Sequence, residues 1–275
     1  MDDKKTILIP WDFTEVAEFA LIHGMNVAKM IDAEIMFLNI VKKESDIKDA
    51  TEKLQPLATQ TGEKYGVKTS IRVMEGTIFK TISDIANDST VGVQLVVMGT
   101  HGIKGMQKYT GSWALKVITN TDVPFIVVQT APESSVFRNV VMPIDFKTEE
   151  KEKLRWANYI YKLYKTKIHL YKRDYPDDSL SKKVQSNVSF ARQYLTEKGI
   201  DYEIKTLTGK KSMSEEITEV AADIPDSLIL IMTSKELSFQ DYVLGADEQK
   251  IIANFAHVPV MCVNPRPLRE DVFFS

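Results

Sequence analysis

Short unbroken apolar runs alternate along this chain with longer segments whose apolar residues recur every three to four positions. In the first half the runs predict strands over 5–10, 33–40, 67–74, 93–98 and 123–128. Between them, helices are predicted over 12–31, 45–65, 78–87 and 112–119. The first helix carries Val16, Ala20, Met25, Val27 and Ala28 at helical spacing, with Thr14 as its expected N-cap. The second is polar, and Pro56 should kink or split it. Strict alternation of strand and helix predicts a parallel sheet with helices on both faces and right-handed crossovers.

The pattern then repeats. Ile-Leu-Ile-Pro-Trp-Asp-Phe at 7–13 returns as Val-Val-Met-Pro-Ile-Asp-Phe at 140–146, an offset of 133. Val-Val-Met-Gly-Thr-His-Gly at 96–102 returns as Leu-Ile-Met-Thr-Ser-Lys-Glu at 230–236, offset 134. Asp-Val-Pro-Phe-Ile-Val-Val at 122–128 returns as His-Val-Pro-Val-Met-Cys-Val at 257–263, offset 135. Three matches in one order at a nearly constant offset mean two copies of one domain. Strands of the second copy are predicted near 139–143, 166–171, 200–207, 228–232 and 258–263. The expected domains are 1–133 and 138–275, joined by a linker over 130–138. The fold class is α/β: two tandem doubly wound domains, each a five-stranded parallel sheet.

Composition narrows the field. With 275 residues, two domains of ordinary size fit the chain. Apolar content of 44% and charged content of 27% are those of a globular protein. A net charge of −3 argues against nucleic acid or an anionic membrane as partner. No stretch approaches the roughly 20 apolar residues of a membrane span. The N-terminus runs directly into a strand, which leaves no room for a signal peptide, so the chain reads as cytoplasmic. The single cysteine, Cys262, sits in an apolar run and reads as a reduced core thiol.

In an open α/β sheet, ligands sit beyond the carboxyl ends of the strands, where strand order reverses. Two strands of the first copy end in unusual residues there. Strand one ends Pro10-Trp11-Asp12-Phe13; strand four runs into Gly99, Gly102 and Gly105, with Gly111-Ser112 at the next helix start. Glycines let backbone approach a ligand closely, and a helix N-terminus suits a phosphate. Lys104 and Lys108 add charge to the same loop. Asp12 can accept hydrogen bonds from a ribose or adenine, or hold a cation beside phosphates. Plainer readings stand beside these. The glycines are also turn formers, Asp12 a helix cap, His101 a structural donor, and Trp11 and Trp113 packing residues.

These motifs resemble the universal stress protein family in its tandem two-domain form, over essentially the whole chain. Pro-x-Asp-Phe (10–13, again 143–146), Met-Gly-Thr-His-Gly (98–102), Gly-Ser (111–112) and the closing Val-Pro-Phe-Ile-Val-Val carry the resemblance. It implies a Rossmann-like sheet of the adenine nucleotide alpha hydrolase type. It also implies an adenine nucleotide as ligand, ATP with or without Mg. By that resemblance Asp12 and the neighbourhood of Ile40 hold the adenosine, Gly99, Gly102, Gly111 and Ser112 wrap the ribose and phosphates, and Pro10 belongs to the same cofactor-binding set. Two departures stand out. Eight residues separate Gly102 from Gly111 where the family pattern has nine. One residue fewer shifts the following N–H groups by up to about 3.5 Å. The second copy has Thr233, Glu236, Gly245 and Ala246 at the four glycine-loop positions and keeps only Asp145. Its site is expected not to bind nucleotide.

Nothing in the sequence poses a nucleophile against a base. His23, His101, His169 and His257 fall in different elements, and the nucleophile-elbow and Walker A patterns are absent. No catalytic residue and no metal site is expected. The leading reading is a regulatory protein that binds ATP or a related adenine nucleotide in its N-terminal domain. A nucleotide-free, stress-associated interaction module is the alternative, and a slow ATP hydrolase the weaker one. The final strands, 123–128 and 258–263, are expected at sheet edges, which need cover. By resemblance to dimerising single-domain relatives, the two copies are expected to dock there as a pseudo-dimer within one chain. Phe125, Val127, Val260 and Cys262 would then lie on one face, with a further homo-dimer open and the protein partner unnamed.

Overall fold

The structure is a computed structural model that describes residues 4–100, 117–147, 150–233 and 246–264. It divides into two compact units, Met1–Ser135 and Val136–Ser275. In the first, β1 (Thr6–Pro10), α1 (Glu15–Ile31), β2 (Glu34–Val41), α2 (Ile47–Tyr65), β3 (Thr69–Glu75), α3 (Ile78–Asn87), β4 (Val93–Gly99) and β5 (Phe125–Val128) follow in order. The strand order is β3-β2-β1-β4-β5 and every pairing is parallel. Order therefore reverses between β1 and β4, and that gap is where a ligand cleft is expected.

The unbroken apolar runs have their cause in this layering. Ile7, Leu8 and Ile9 are all fully buried, because β1 is covered on both faces. Helix α1 lays Val16, Ala20, Leu21 and Ala28 on the sheet. Helix α2 continues through Pro56 without splitting, with Leu54 and Ala58 buried on either side of it. Burial at both neighbours holds the two turns to the sheet where the missing N–H would otherwise end the helix.

The second unit repeats the plan. It contains β6 (Asn139–Ile144), α4 (Glu150–Tyr164), β7 (Lys167–Lys172), α5 (Asp178–Glu197), β8 (Tyr202–Thr206), α6 (Met213–Ala222), β9 (Ser227–Met232), α7 (Ala246–Ile252) and β10 (Val260–Val263). Its order is β10-β9-β6-β7-β8, again wholly parallel. Both final strands start later than the apolar pattern suggests, at Phe125 and Val260. The residues before them, Pro124 and Pro259, have no N–H and enter the ladder only as acceptors, from Val96 and Ile229.

Candidate functional site

A cleft of about 190 Å³ opens where β1 and β4 part, at their carboxyl ends. Pro10, Asp12, Ile40 and Gly99 all line it. Four of the seven residues singled out in the sequence thus meet at one place. The other three, Gly102, Gly111 and Ser112, lie outside the described residues, as do His101, Lys104 and Lys108.

Each residue has a local reason for its position. Trp11 leaves β1 with its N–H donated to Leu38 O at 2.8 Å, and its own carbonyl accepts from Asn39 Nδ2 at 2.7 Å. Asn39 is buried, so this side chain ties the exit of β1 to β2 in a place sheltered from water. The indole packs edge-on against Phe37, ring centroids 5.3 Å apart. Its Nε1 is buried without a hydrogen-bond partner among the described residues.

Asp12 is exposed at the rim, and Oδ1 accepts two bonds, from Thr14 N at 3.1 Å and Thr14 Oγ1 at 2.5 Å. The expected cap holds by position but not by bond. Thr14 occupies the N-cap position, but its side chain makes no capping bond to α1 and donates backwards to Asp12 instead. The turn also explains why α1 begins at Glu15 rather than at 12. One carboxylate oxygen is committed to the turn; among the described residues Oδ2 makes no such bond.

Gly99 has a second reason to be glycine. A Cβ there would stand 2.2 Å from Val16 O and 2.7 Å from Val16 Cβ, so the end of β4 touches the first turn of α1. The sequence reading assigned Gly99 to ligand approach or to a turn; helix packing requires it too. The remaining walls are apolar: Val16 and Ala17 from α1, Ile78 and Ile82 from α3, Leu38 and Met98 from the strands. Among the described residues the cleft is a mainly apolar slot with the Asn39 side chain in its wall and one carboxylate at its rim.

The equivalent cleft of the second unit, about 240 Å³, has a different chemistry. Lys153, at the position of Ala20, is buried and donates from Nζ to Pro143 O at 2.5 Å. Lys147, Asp247 and Glu248 also line it, with Lys147 Nζ 3.7 Å from Glu248 Oε1. Arg173 stands where the first unit has Ile40, and its Nη2 bonds Lys211 O at 2.6 Å and Glu216 Oε2 at 3.0 Å. The Thr208 hydroxyl first, then Arg173 and the N–H groups of Gly209 and Lys210, hold the Glu216 carboxyl down to about 2. Thr233, in the place of Gly99, is buried and its hydroxyl bonds Asn264 Oδ1. Glu236 and Gly245 lie outside the described residues. Ala246 opens α7.

Among the described residues no cluster of three His, Cys, Asp or Glu side chains is arranged to hold a metal ion, and no helix is long and apolar enough to cross a membrane.

Residues 4–129 match the family model described as the universal stress protein family. A universal stress protein of Methanocaldococcus jannaschii is 30% identical over 141 residues, covering 46% of this chain and 82% of that protein. A universal stress protein from Archaeoglobus fulgidus superposes with a TM-score of 0.75 at 17% identity, covering 94% of this chain and 96% of that one. A putative universal stress protein from Pseudomonas aeruginosa gives a TM-score of 0.67 at 15% identity, with coverage of 95% and 93%.

Proposed function

The chain belongs to the universal stress protein family, and from that premise we propose that it is a cytoplasmic regulatory protein binding ATP or a related adenine nucleotide in its first unit. The observation that carries this reading is the meeting of Pro10, Asp12, Ile40 and Gly99 at the β1/β4 switch. An apolar slot with a carboxylate at its rim suits a flat base buried between Ile40, Ile82 and Met98, with a ribose hydroxyl donating to Asp12. Gly102, Gly111 and Ser112 would then take the ribose and phosphates, with or without Mg.

The second unit takes no nucleotide in this reading. Arg173, Lys153 and Thr233 put a guanidinium, an ammonium and a branched side chain at the positions of Ile40, Ala20 and Gly99. A base would have to displace ion pairs already made, such as that of Arg173 with Glu216. The shortened spacing between Gly102 and Gly111 favours the competing reading, a nucleotide-free interaction module. Mass spectrometry of the natively purified protein, followed by calorimetry with ATP, separates the two. Co-purified adenine nucleotide and one site per chain support the proposal. Two equivalent sites, or none, overturn it.

A further inference from the structure

Phe13 directly follows Asp12, and two of its properties lack a cause in the folded chain alone. Its backbone is left-handed, φ 63°, a conformation in which the β-carbon of an L-residue crowds the neighbouring carbonyl. Its ring is 47% exposed. An aromatic residue in a strained conformation that leaves its ring in water contributes little burial in return.

The second unit supplies an internal control. Asp145 Oδ1 accepts from Lys147 N at 2.7 Å, the same carboxylate turn that Asp12 makes with Thr14. Yet Phe146, in the place of Phe13, is not left-handed. Its ring packs edge-on against Tyr175 at 5.4 Å. The shared carboxylate-to-N–H bond therefore does not by itself dictate the left-handed backbone; Asn187 Nδ2 also holds Asp145 O and Lys147 O in the second unit, while the first adds the Thr14 hydroxyl bond to Asp12. Some left-handed positions are shared by the two copies, as at Asp32 and Lys165 or Gly66 and Gly199, and others, such as His257, are not.

The surroundings of Phe13 indicate what it serves. Its ring stands edge-on to Trp11, centroids 6.3 Å apart, and Trp11 lines the first cleft. Ile78, another cleft residue, is 50% exposed. We propose that Phe13 is a specificity-determining residue of this cleft: its ring is held out at the rim so that one face covers the planar base of the bound ligand. The occupant fitting an exposed aromatic face, an exposed isoleucine and a carboxylate is a heteroaromatic base bearing a hydroxylated sugar. Stacking on an aromatic face tolerates any base, so Phe13 selects for flatness while Asp12 selects for the sugar.

This inference rests on the nucleotide reading of the first unit, and its test keeps the two apart. ATP and adenosine are titrated into the wild-type protein and into Phe13→Tyr, Phe13→Leu and Phe13→Gly, with thermal melting of each free protein. Tyr keeps the aromatic face and should bind within about twofold of wild type. Leu keeps apolar bulk without the face, and Gly removes the ring; both should lose about tenfold or more for ATP and adenosine alike. Phe13→Gly should melt no lower than wild type, since glycine accepts the left-handed backbone freely. Wild type that binds neither ligand overturns the nucleotide reading and this inference with it. Wild type that binds while Leu and Gly bind equally well overturns the inference alone.

Discussion

His169 Nδ1 on β7 lies 2.7 Å from Glu203 Oε1 on β8. On the other side of the ring, Nε2 is 2.8 Å from Asn139 Oδ1, while Asn139 Nδ2 donates to Pro225 O. A line of polar contacts thus crosses three strands of the second unit. Lys205 Nζ, 2.6 Å from Glu203 Oε1, and Lys167 Nζ, 3.9 Å from Oε2, complete the group.

Lys205 first, then His169, hold the Glu203 carboxyl down to about 2, from an ordinary 4.5. A carboxyl depressed on folding adds stability that is present above about pH 4.5 and is lost as pH falls towards 2. Partial solvation of the cluster limits its contribution to about 1 kcal/mol. Glu203→Gln should therefore lower the urea midpoint at pH 6 and make no difference near pH 2. A deficit that persists unchanged at pH 2 would assign the loss to packing instead of charge.

His23 in α1 acts in the same pH direction by a different cause. It is buried, with Nε2 3.2 Å from Thr130 O. Burial pushes the ring down to about 4, with the Thr130 carbonyl opposing. Below pH 6.5 the unfolded chain takes up a proton that the folded chain refuses, so stability falls from about pH 6.5 to about pH 4 and then levels. The total is about 3 kcal/mol. Denaturant midpoints between pH 7 and pH 4 should slope downward in the wild type and flatten in His23→Gln. Parallel slopes would remove His23 as the cause.

Gly99 and Gly24 look alike in the sequence but not in space. A Cβ on Gly99 meets backbone, Val16 O at 2.2 Å. One on Gly24 meets Ile9 Cδ1 at 2.6 Å, the far end of a flexible side chain. Gly99→Ala should cost about 2–3 kcal/mol, as overpacking does, and Gly24→Ala less than about 1 kcal/mol. Urea denaturation measures both. Equal costs would show that the start of α1 shifts aside freely.

Cys262 on β10 is completely buried, and burial, aided by the Glu248 charge, pushes its thiol well above the ordinary cysteine range. The thiolate is the reactive form, so the native protein should be inert to thiol reagents at pH 8. One equivalent should react on unfolding. Rapid labelling without denaturant would mean that β10 opens readily.

The contrast between Gly99 and Gly24 shows what the sequence could and could not tell. The strands were legible because burial on both faces leaves runs such as Ile7-Leu8-Ile9 with no polar position. Boundaries moved where a donor is missing, at Pro124 and Pro259, or where Asp12 and Thr14 form a turn before α1. At the cleft, Pro10, Asp12 and Gly99 stood out as unusual residues at strand ends, while Ile40 came only from family resemblance. Ile78 and Ile82 gave no signal, since their role depends on which elements flank the β1/β4 switch. A polar Asn39 inside an apolar strand was the one available clue. The packing of Gly99 on Val16 O depends on a helix-to-strand distance that no local pattern encodes.

The last prediction separates the two halves of Asp12's work. Oδ1 holds Thr14, which any carbonyl-type oxygen can do; the negative charge and Oδ2 are what the proposed ligand would use. Asp12→Asn keeps an acceptor for the Thr14 N–H and hydroxyl, so the melting temperature should change little. It removes a charged hydrogen-bond acceptor, and ATP affinity should fall by about 1–3 kcal/mol. Asp145→Asn makes the same change in the second unit, whose carboxylate also anchors a turn, through Lys147 N. That cleft already commits Lys147 to carboxylates, with Nζ 3.9 Å from Asp145 Oδ2, so nucleotide binding should be untouched. Calorimetry of both variants against the wild type measures the difference. If Asp12→Asn binds ATP as the wild type does, the carboxylate serves the turn alone, and the apolar walls must supply the selectivity.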